Sequence, residues 1–165
     1  MEGYKRLLVS VNKRPRAVHL LKFIDTFAVC FTVCAYAASI VAVGTSDLYI
    51  AVRLILITGV PFVLVSLVRG LIDAPRPYEV YTDIYTVPPK KRGGASFPSR
   101  HAFSVFAIGT ELLFVYPSVA AVILILGASL AVSRVLRGVH FLRDVLFGAL
   151  LGAFSSALGM IILYL

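Results

Sequence analysis

The sequence predicts an all-α bundle of membrane-spanning helices in one domain, residues 1–165, and three observations carry that prediction. The first is composition. Apolar residues make up 59% and charged residues 15%, against ~45–50% and ~25% in soluble domains; mean hydropathy is +0.93. A soluble globule of this length cannot bury so much apolar surface, and disorder requires the opposite composition. The second is that charge-free apolar runs recur near the length of a span. The third is a net charge of +8 and a pI near 9.8. In a chain this apolar, the excess suits anionic lipid or phosphate better than nucleic acid, which is not expected as a partner.

Residues 1–22 carry six Lys/Arg. Tyr4, Leu7, Leu8 and Val11 fall at helical spacing, which predicts a short interfacial helix before Pro15. Ala35-Tyr36-Ala37 resembles a signal cleavage site, but the basic region is too long for a signal peptide, so the segment is read as uncleaved. Apolar runs follow at 26–43, 48–68, 102–116, 118–132 and 145–165. A span needs ~20 residues. The third and fourth runs have 15 each, and reach that length only if helix continues into His101 and into Ser133-Arg134. Five spans are therefore expected, in preference to a re-entrant pair. Residues 44–47 read as a tight turn, and Pro117 ends one helix and opens the next.

The long connection, 69–100, holds five of the eight prolines. Irregular backbone at membrane depth must be buried or line a cavity. Lys90-Lys91-Arg92 reads as a solvated loop or topogenic charge. Tyr78, Tyr81 and Tyr85 read as interfacial aromatics, as does His19 as an interfacial side chain. Cys30 and Cys34 are packing residues rather than a disulfide framework or zinc site. Gly148 and Gly152, with Ser155, Ser156 and Gly159, form a small-residue stripe suited to close helix packing within the bundle. Arg53 and Glu111 lie at matched depth, ~7–9 Å from the same surface by a rise of 1.5 Å per residue, and are expected to pair.

Alternation of five spans puts residues 1–22, 69–100 and 134–144 on one side of the membrane. Three polar clusters collect there: Arg69 to Arg76-Pro77; Pro98-Ser99-Arg100-His101; and Ser133-Arg134, His140 and Asp144. Pro98-Ser99 caps a helix whose free N–H groups and neighbouring Arg form an anion site. Arg69, Arg76, Arg100 and Arg134 can converge on one phosphate, whose geometry their planar donors match. His140 and Asp144 are four apart and fit one face of the first turn of the last helix. A carboxylate on one imidazole nitrogen leaves the other free as a nucleophile. His101 can act as acid and then base. Phosphoryl transfer needs positioning and charge neutralisation above all. No carboxylate cluster suggests a two-metal site, so no metal or cofactor is expected.

Arg69-x6-Arg76-Pro77, Pro98-Ser99-Arg100-His101 and Ser133-Arg134-x5-His140-x3-Asp144 resemble the three signature motifs of the type 2 phosphatidic acid phosphatase superfamily, which includes lipid phosphate phosphatases and the vanadium haloperoxidases. The resemblance covers residues 69–144, in order. It implies that His140 is a nucleophile forming a phosphohistidine and that Asp144 orients it. It further implies that His101 protonates the leaving oxygen and then activates water, while Arg69, Arg76, Ser99 and Arg134 hold the phosphoryl oxygens. Two positions depart from the family pattern: Arg69 stands for the usual Lys, and Arg100 for the usual Gly before His. Arg100 would be strained there if the position needs φ > 0; otherwise its side chain adds a charge for a second phosphate or a headgroup.

The expected function is hydrolysis of a phosphate ester or diphosphate of a lipid that enters from the bilayer. A lipid headgroup phosphotransferase using the same His140 is the alternative, and a non-catalytic transporter or scaffold with a phosphate-binding mouth is another. Membrane spans disfavour a haloperoxidase. Fifteen of the sixteen Lys/Arg lie on the motif side. Setting aside Arg69, Arg76, Arg100, Arg134, Arg137 and Arg143 leaves nine against Arg53 alone. The positive-inside rule then predicts a cell-membrane protein whose site faces the cytoplasm.

Overall fold

The structure, a computed structural model, describes residues 2–81 and 94–164. Tyr85 and Lys90-Lys91-Arg92 lie outside the described residues. The described residues form seven helices: α1 Glu2–Asn12, α2 Pro15–Gly44, α3 Leu48–Ile72, α4 Pro77–Val80, α5 Arg100–Leu112, α6 Pro117–Leu136 and α7 Leu142–Tyr164. The expected interfacial helix is α1, with Leu8 fully buried and Leu7 exposed. Pro15 and Pro117 open α2 and α6, where a missing N–H costs nothing. Asp47 caps α3 by accepting from Ile50 N at 3.1 Å.

Among the described residues, four helical segments are long and apolar enough to cross a membrane: Pro15–Gly44, Leu48–Val80 (α3 with α4), Pro117–Leu136 and Leu142–Leu163. The fifth expected span is different. Helix α5 has 13 residues and rises only ~20 Å, short of the ~30 Å hydrocarbon core. The long helices pack around much of it: Ala102, Phe103, Val105, Ala107, Ile108, Gly109, Glu111 and Leu112 are buried. A helix sheltered on its flanks has no need to match the bilayer.

Helices α5 and α7 run in the same direction, so both N-termini meet at one end of the bundle. Ser99 N donates to Asp144 O at 2.9 Å there. The small-residue stripe permits this approach. A Cβ on Gly148 would lie 2.5 Å from Ser99 O, and one on Gly152 would strike Phe103 O and sit 3.1 Å from Ala107 N. Backbone cannot yield as a flexible side chain can. Gly152→Val is therefore expected to lower stability by about 1–3 kcal/mol or more, read as a lower melting temperature in detergent. Gly59→Ala, with nothing within 4 Å, is the control and should melt no lower than wild type. A Gly152→Val protein as stable as the control would contradict the packing.

Glu111 is not paired with Arg53. The Arg53 guanidinium stays on its own helix, 3.4 Å from the Tyr49 hydroxyl and 5.3 Å from its ring centre. Glu111, fully buried, takes hydroxyls from both flanking helices: Tyr36 Oη at 3.0 Å and Thr58 Oγ1. Glu111 meets α3 at Thr58, five residues beyond Arg53, so counting residues from the surface did not set the two groups level. An exposed aromatic neighbour suffices for Arg53, and two hydroxyls satisfy a buried carboxyl without desolvating a cation.

Candidate active site

At the end of the bundle where α5 and α7 begin, α3 and α6 end. The ends of the 69–100 connection are fastened to each other. Glu79 accepts from Arg76 N at 2.9 Å and from Gly94 N at 2.9 and 3.0 Å. Asp73 Oδ1 accepts from Ala95 N at 3.0 Å, and Ser96 N donates to Ala74 O at 2.8 Å. The chain re-enters through Gly94 at φ 72°, where a Cβ would collide with the Asp73 carboxylate; this is a position only glycine fills without strain.

Three motif clusters thus come together. Arg69 and Arg76 are 6% and 4% exposed. Each is held by backbone carbonyls: Arg69 Nη1 lies 3.4 Å from Pro98 O, while Arg76 donates to Gly94 O at 3.1 Å and Val139 O at 3.3 Å. Ser99 is the N-cap of α5, yet its side chain makes no capping bond. Its buried Oγ has no partner among the described residues, which suits a hydroxyl that binds a ligand oxygen. His101 is half-buried in the first turn of α5.

Arg100 does not join the buried arginines; it is exposed at the rim. It is the first residue of α5 and is not among the positive-φ residues, which are Asp73, Gly94, Ala95 and Gly138. Replacing the family's glycine therefore strains nothing. Arg100 and His101 stand at the mouth of a cleft of about 310 Å³, continued by Val29, Thr32, Val33, Phe62 and Val105.

His140 and Asp144 are both buried, but not as expected. His140 precedes α7, and only Asp144 lies in its first turn. His140 Nδ1 is 3.8 Å from Asp144 Oδ2, too long for a hydrogen bond. Ser96 closes the gap. Its Oγ donates to Asp144 Oδ2 at 2.6 Å and lies 3.3 Å from His140 Nδ1. Asp144 Oδ2 also accepts from Phe141 N at 3.0 Å. With the Ser96 proton committed to the carboxylate, its lone pair accepts from Nδ1–H. The network therefore assigns the proton to Nδ1 and leaves the Nε2 lone pair free. Burial holds the His140 imidazole below its ordinary pKa; the Asp144 carboxylate opposes this, and Arg76, Arg69 and Arg134 reinforce it. These influences favour the neutral ring, the form that nucleophilic attack by an imidazole requires.

Arg134 is positioned by a residue to which sequence reasoning gave no role. Asp25 on α2 accepts from Arg134 Nε at 2.7 Å and from Arg137 Nη1 at 2.8 Å. Ser133 Oγ donates to Leu21 O at 2.8 Å beside it. Ser96 was likewise missed. It lies in irregular chain 44 residues from His140, where no helical spacing links the two. Its one sequence signal is its place two residues before Pro98. Asp25 offered more: a lone acid at the start of an apolar run invites a cation partner. Among the described residues, no three His, Cys, Asp or Glu are grouped to hold a metal ion.

A membrane helix bundle with buried arginines, a neutral histidine and an orphan serine hydroxyl at one end defines a class of protein built to hold a phosphoryl group at the membrane surface. The PAP2 superfamily model matches residues 50–164, and the chain belongs to that superfamily. The matched region includes all three motifs. The bacitracin transport permease protein BcrC of Bacillus licheniformis is 38% identical over 61 residues, which is 37% of this chain but only 30% of that protein. Two solved structures share the fold. LpxE of Aquifex aeolicus superposes with a TM-score of 0.69 at 23% identity, covering 94% of this chain and 93% of its own. A transmembrane PAP2-type phosphatidylglycerolphosphate phosphatase of Bacillus subtilis superposes with a TM-score of 0.71 at 19% identity, covering 98% and 84%.

Proposed function

We propose that this protein is a membrane lipid phosphatase that removes phosphate from a lipid phosphomonoester or diphosphate through a phosphohistidine on His140. One observation carries the reading: the Asp144–Ser96–His140 relay leaves Nε2 free beside Arg69, Arg76 and Arg134, in a bundle open to lipid. Nε2 attacks phosphorus as the ester P–O bond breaks, and His101, which takes up a proton as the phosphate's negative charge docks beside it, gives that proton to the leaving oxygen. Water then attacks phosphorus and passes a proton to His101. The P–N bond breaks, its electron pair returns to Nε2, and phosphate departs. Arg69, Arg76, Arg134 and the Ser99 hydroxyl hold the phosphoryl oxygens. Arg100 at the rim faces a headgroup or second phosphate. The substrate's apolar part stays in the bilayer, and nucleic acid plays no part.

The test is phosphate release in detergent, with EDTA present, from phosphatidate, phosphatidylglycerophosphate, polyprenyl phosphates and diphosphates, and lipid-linked sugar phosphates. Because guanidinium groups supply the positive charge, release is expected to survive the chelator. Loss of activity in EDTA, restored by Mg²⁺ or Mn²⁺, would contradict this. Transfer of phosphate to an added alcohol but not to water would make the protein a phosphotransferase. Binding without release would favour a phosphate-binding transporter, the kind of role that the name of the Bacillus licheniformis relative suggests.

The site is further proposed to face the cytoplasm from the cell membrane, supported by the nine basic residues against one that remain after the site region is set aside. Gly3 is exposed at the end of the bundle that holds the site. With Cys30 and Cys34 replaced by Ser, a Gly3→Cys protein in intact cells should resist an impermeant thiol reagent and react after permeabilisation. Rapid labelling of intact cells would reverse the orientation.

A further inference from the structure

We infer that α1 is a positioning element of the active site, in which Tyr4 and Leu8 clamp the turn that presents His140. This rests on reading His140 as the nucleophile. The Tyr4 hydroxyl shares its proton between Val135 O at 3.1 Å and His140 O at 3.3 Å, so one side chain ties the end of α6 to the nucleophile's own backbone. Its ring packs on Tyr81 and Phe141, with centres 6.2 and 6.1 Å apart. One turn along α1, the fully buried Leu8 sits against Gly138, where the chain turns at φ 66°. Leu8 Cδ1 is 3.5 Å and Pro77 Cβ 3.9 Å from the place a Gly138 Cβ would occupy.

The turn needs such a clamp. Residues 137–141 join α6 to α7 without regular structure, and their amides lean on α6: Val139 N and His140 N both donate to Arg134 O, at 3.1 and 3.3 Å. The long bond to His140 is weak by itself. Arg76 holds Val139 O from one side, and Tyr4 holds the His140 carbonyl from the other. Burial pushes the Tyr4 phenol above its ordinary pKa, aided by Tyr81 and Asp144, so it remains a donor throughout the working range. Tyr4 reaches the His140 carbonyl whereas Ser96 reaches the ring, and Tyr4 acts on the reaction only through that backbone.

The test uses the full chain in detergent. Tyr4→Phe keeps the ring contacts and removes only the bifurcated bond. Its kcat should fall about 10-fold, because a small displacement of a reacting group is costly, with KM unchanged, because the arginines that bind phosphate are untouched. Hydrogen exchange at Val139 and His140 should quicken about 5-fold, the effect of losing one hydrogen bond, while the melting temperature holds. Leu8→Ala should act in the same direction, and Leu8→Met should restore wild-type behaviour. Unchanged exchange in Tyr4→Phe overturns the clamp whatever the protein's reaction proves to be. A kcat loss matched by an equal loss of folded protein, with no selective exchange at 139–140, also overturns it. If exchange quickens as expected but the wild type releases phosphate from no lipid, the clamp stands and the phosphatase reading falls.

Discussion

His140→Ala is expected to abolish turnover, by roughly 10⁴-fold or more, while the protein stays folded. The size follows from the site's construction. Arginines and Ser99 can bind a phosphoryl group without His140, but they do not replace the imidazole nitrogen that the Ser96–Asp144 network leaves free. Asp144 retains Ser96 and Phe141 N as partners after the truncation, so no buried carboxylate is orphaned and stability should change little. Kinetics on the best substrate from the release panel, with a melting curve, check both parts. Brief exposure of His101→Ala to ³²P-labelled substrate should leave acid-labile label, since water lacks its base. Wild-type-like turnover by His140→Ala would end the mechanism. The same construction fixes the acid side of the pH profile. The reactive ring must be neutral, and burial with three arginines holds its pKa below the ordinary value. Activity should therefore persist at pH values where an ordinary imidazole is already protonated.

Asp25→Ala is expected to destabilise the protein by about 3–5 kcal/mol, the cost of leaving a buried cation without its partner. Two guanidinium groups depend on this carboxylate, and the Arg134 and Asp25 side chains are only 12% and 9% exposed. Loss of the carboxylate releases Arg134 Nε and Arg137 Nη1 together. What folds should bind substrate poorly, because Arg134 is no longer aimed. Asp25→Asn keeps an acceptor and should lose less. Melting temperatures of the two variants, with KM for whichever remains active, decide the matter; an Asp25→Ala protein as stable as wild type would remove Asp25 from the site's support.

How much of this was legible in the chain varies with the range of the signal. Hydropathy and the positions of Pro and Gly marked the long helices, because lipid exposure acts on each segment by itself. The three clusters were legible because each is short, and because alternation of helices sends them to one end. Helix α5 shows the limit of that signal: its 15-residue apolar run reads the same whether lipid or protein surrounds it, and only neighbours distinguish the cases. Glu111 went wrong for a related reason. Depth counted in residues assumes that both helices start level, and only the packed bundle shows which residues of two helices meet. Tyr36 and Thr58 therefore took the place assigned to Arg53.

By itself, then, the sequence determined that this is a helical membrane protein with His101, His140, Asp144 and the motif arginines gathered at one surface. Tertiary structure alone decided how those groups are held. It placed Ser96 between His140 and Asp144, set Asp25 under Arg134 and Arg137, moved Arg100 to the rim, and docked Tyr4 on the His140 carbonyl. The physical reason is the nature of the forces. Burial of apolar segments is non-directional and follows composition over a turn or two of chain. Hydrogen bonds act only within about 3 Å and along defined angles, so partners 44, 109 or 136 residues apart become neighbours only when the packed bundle brings irregular chain and helix ends to the same point.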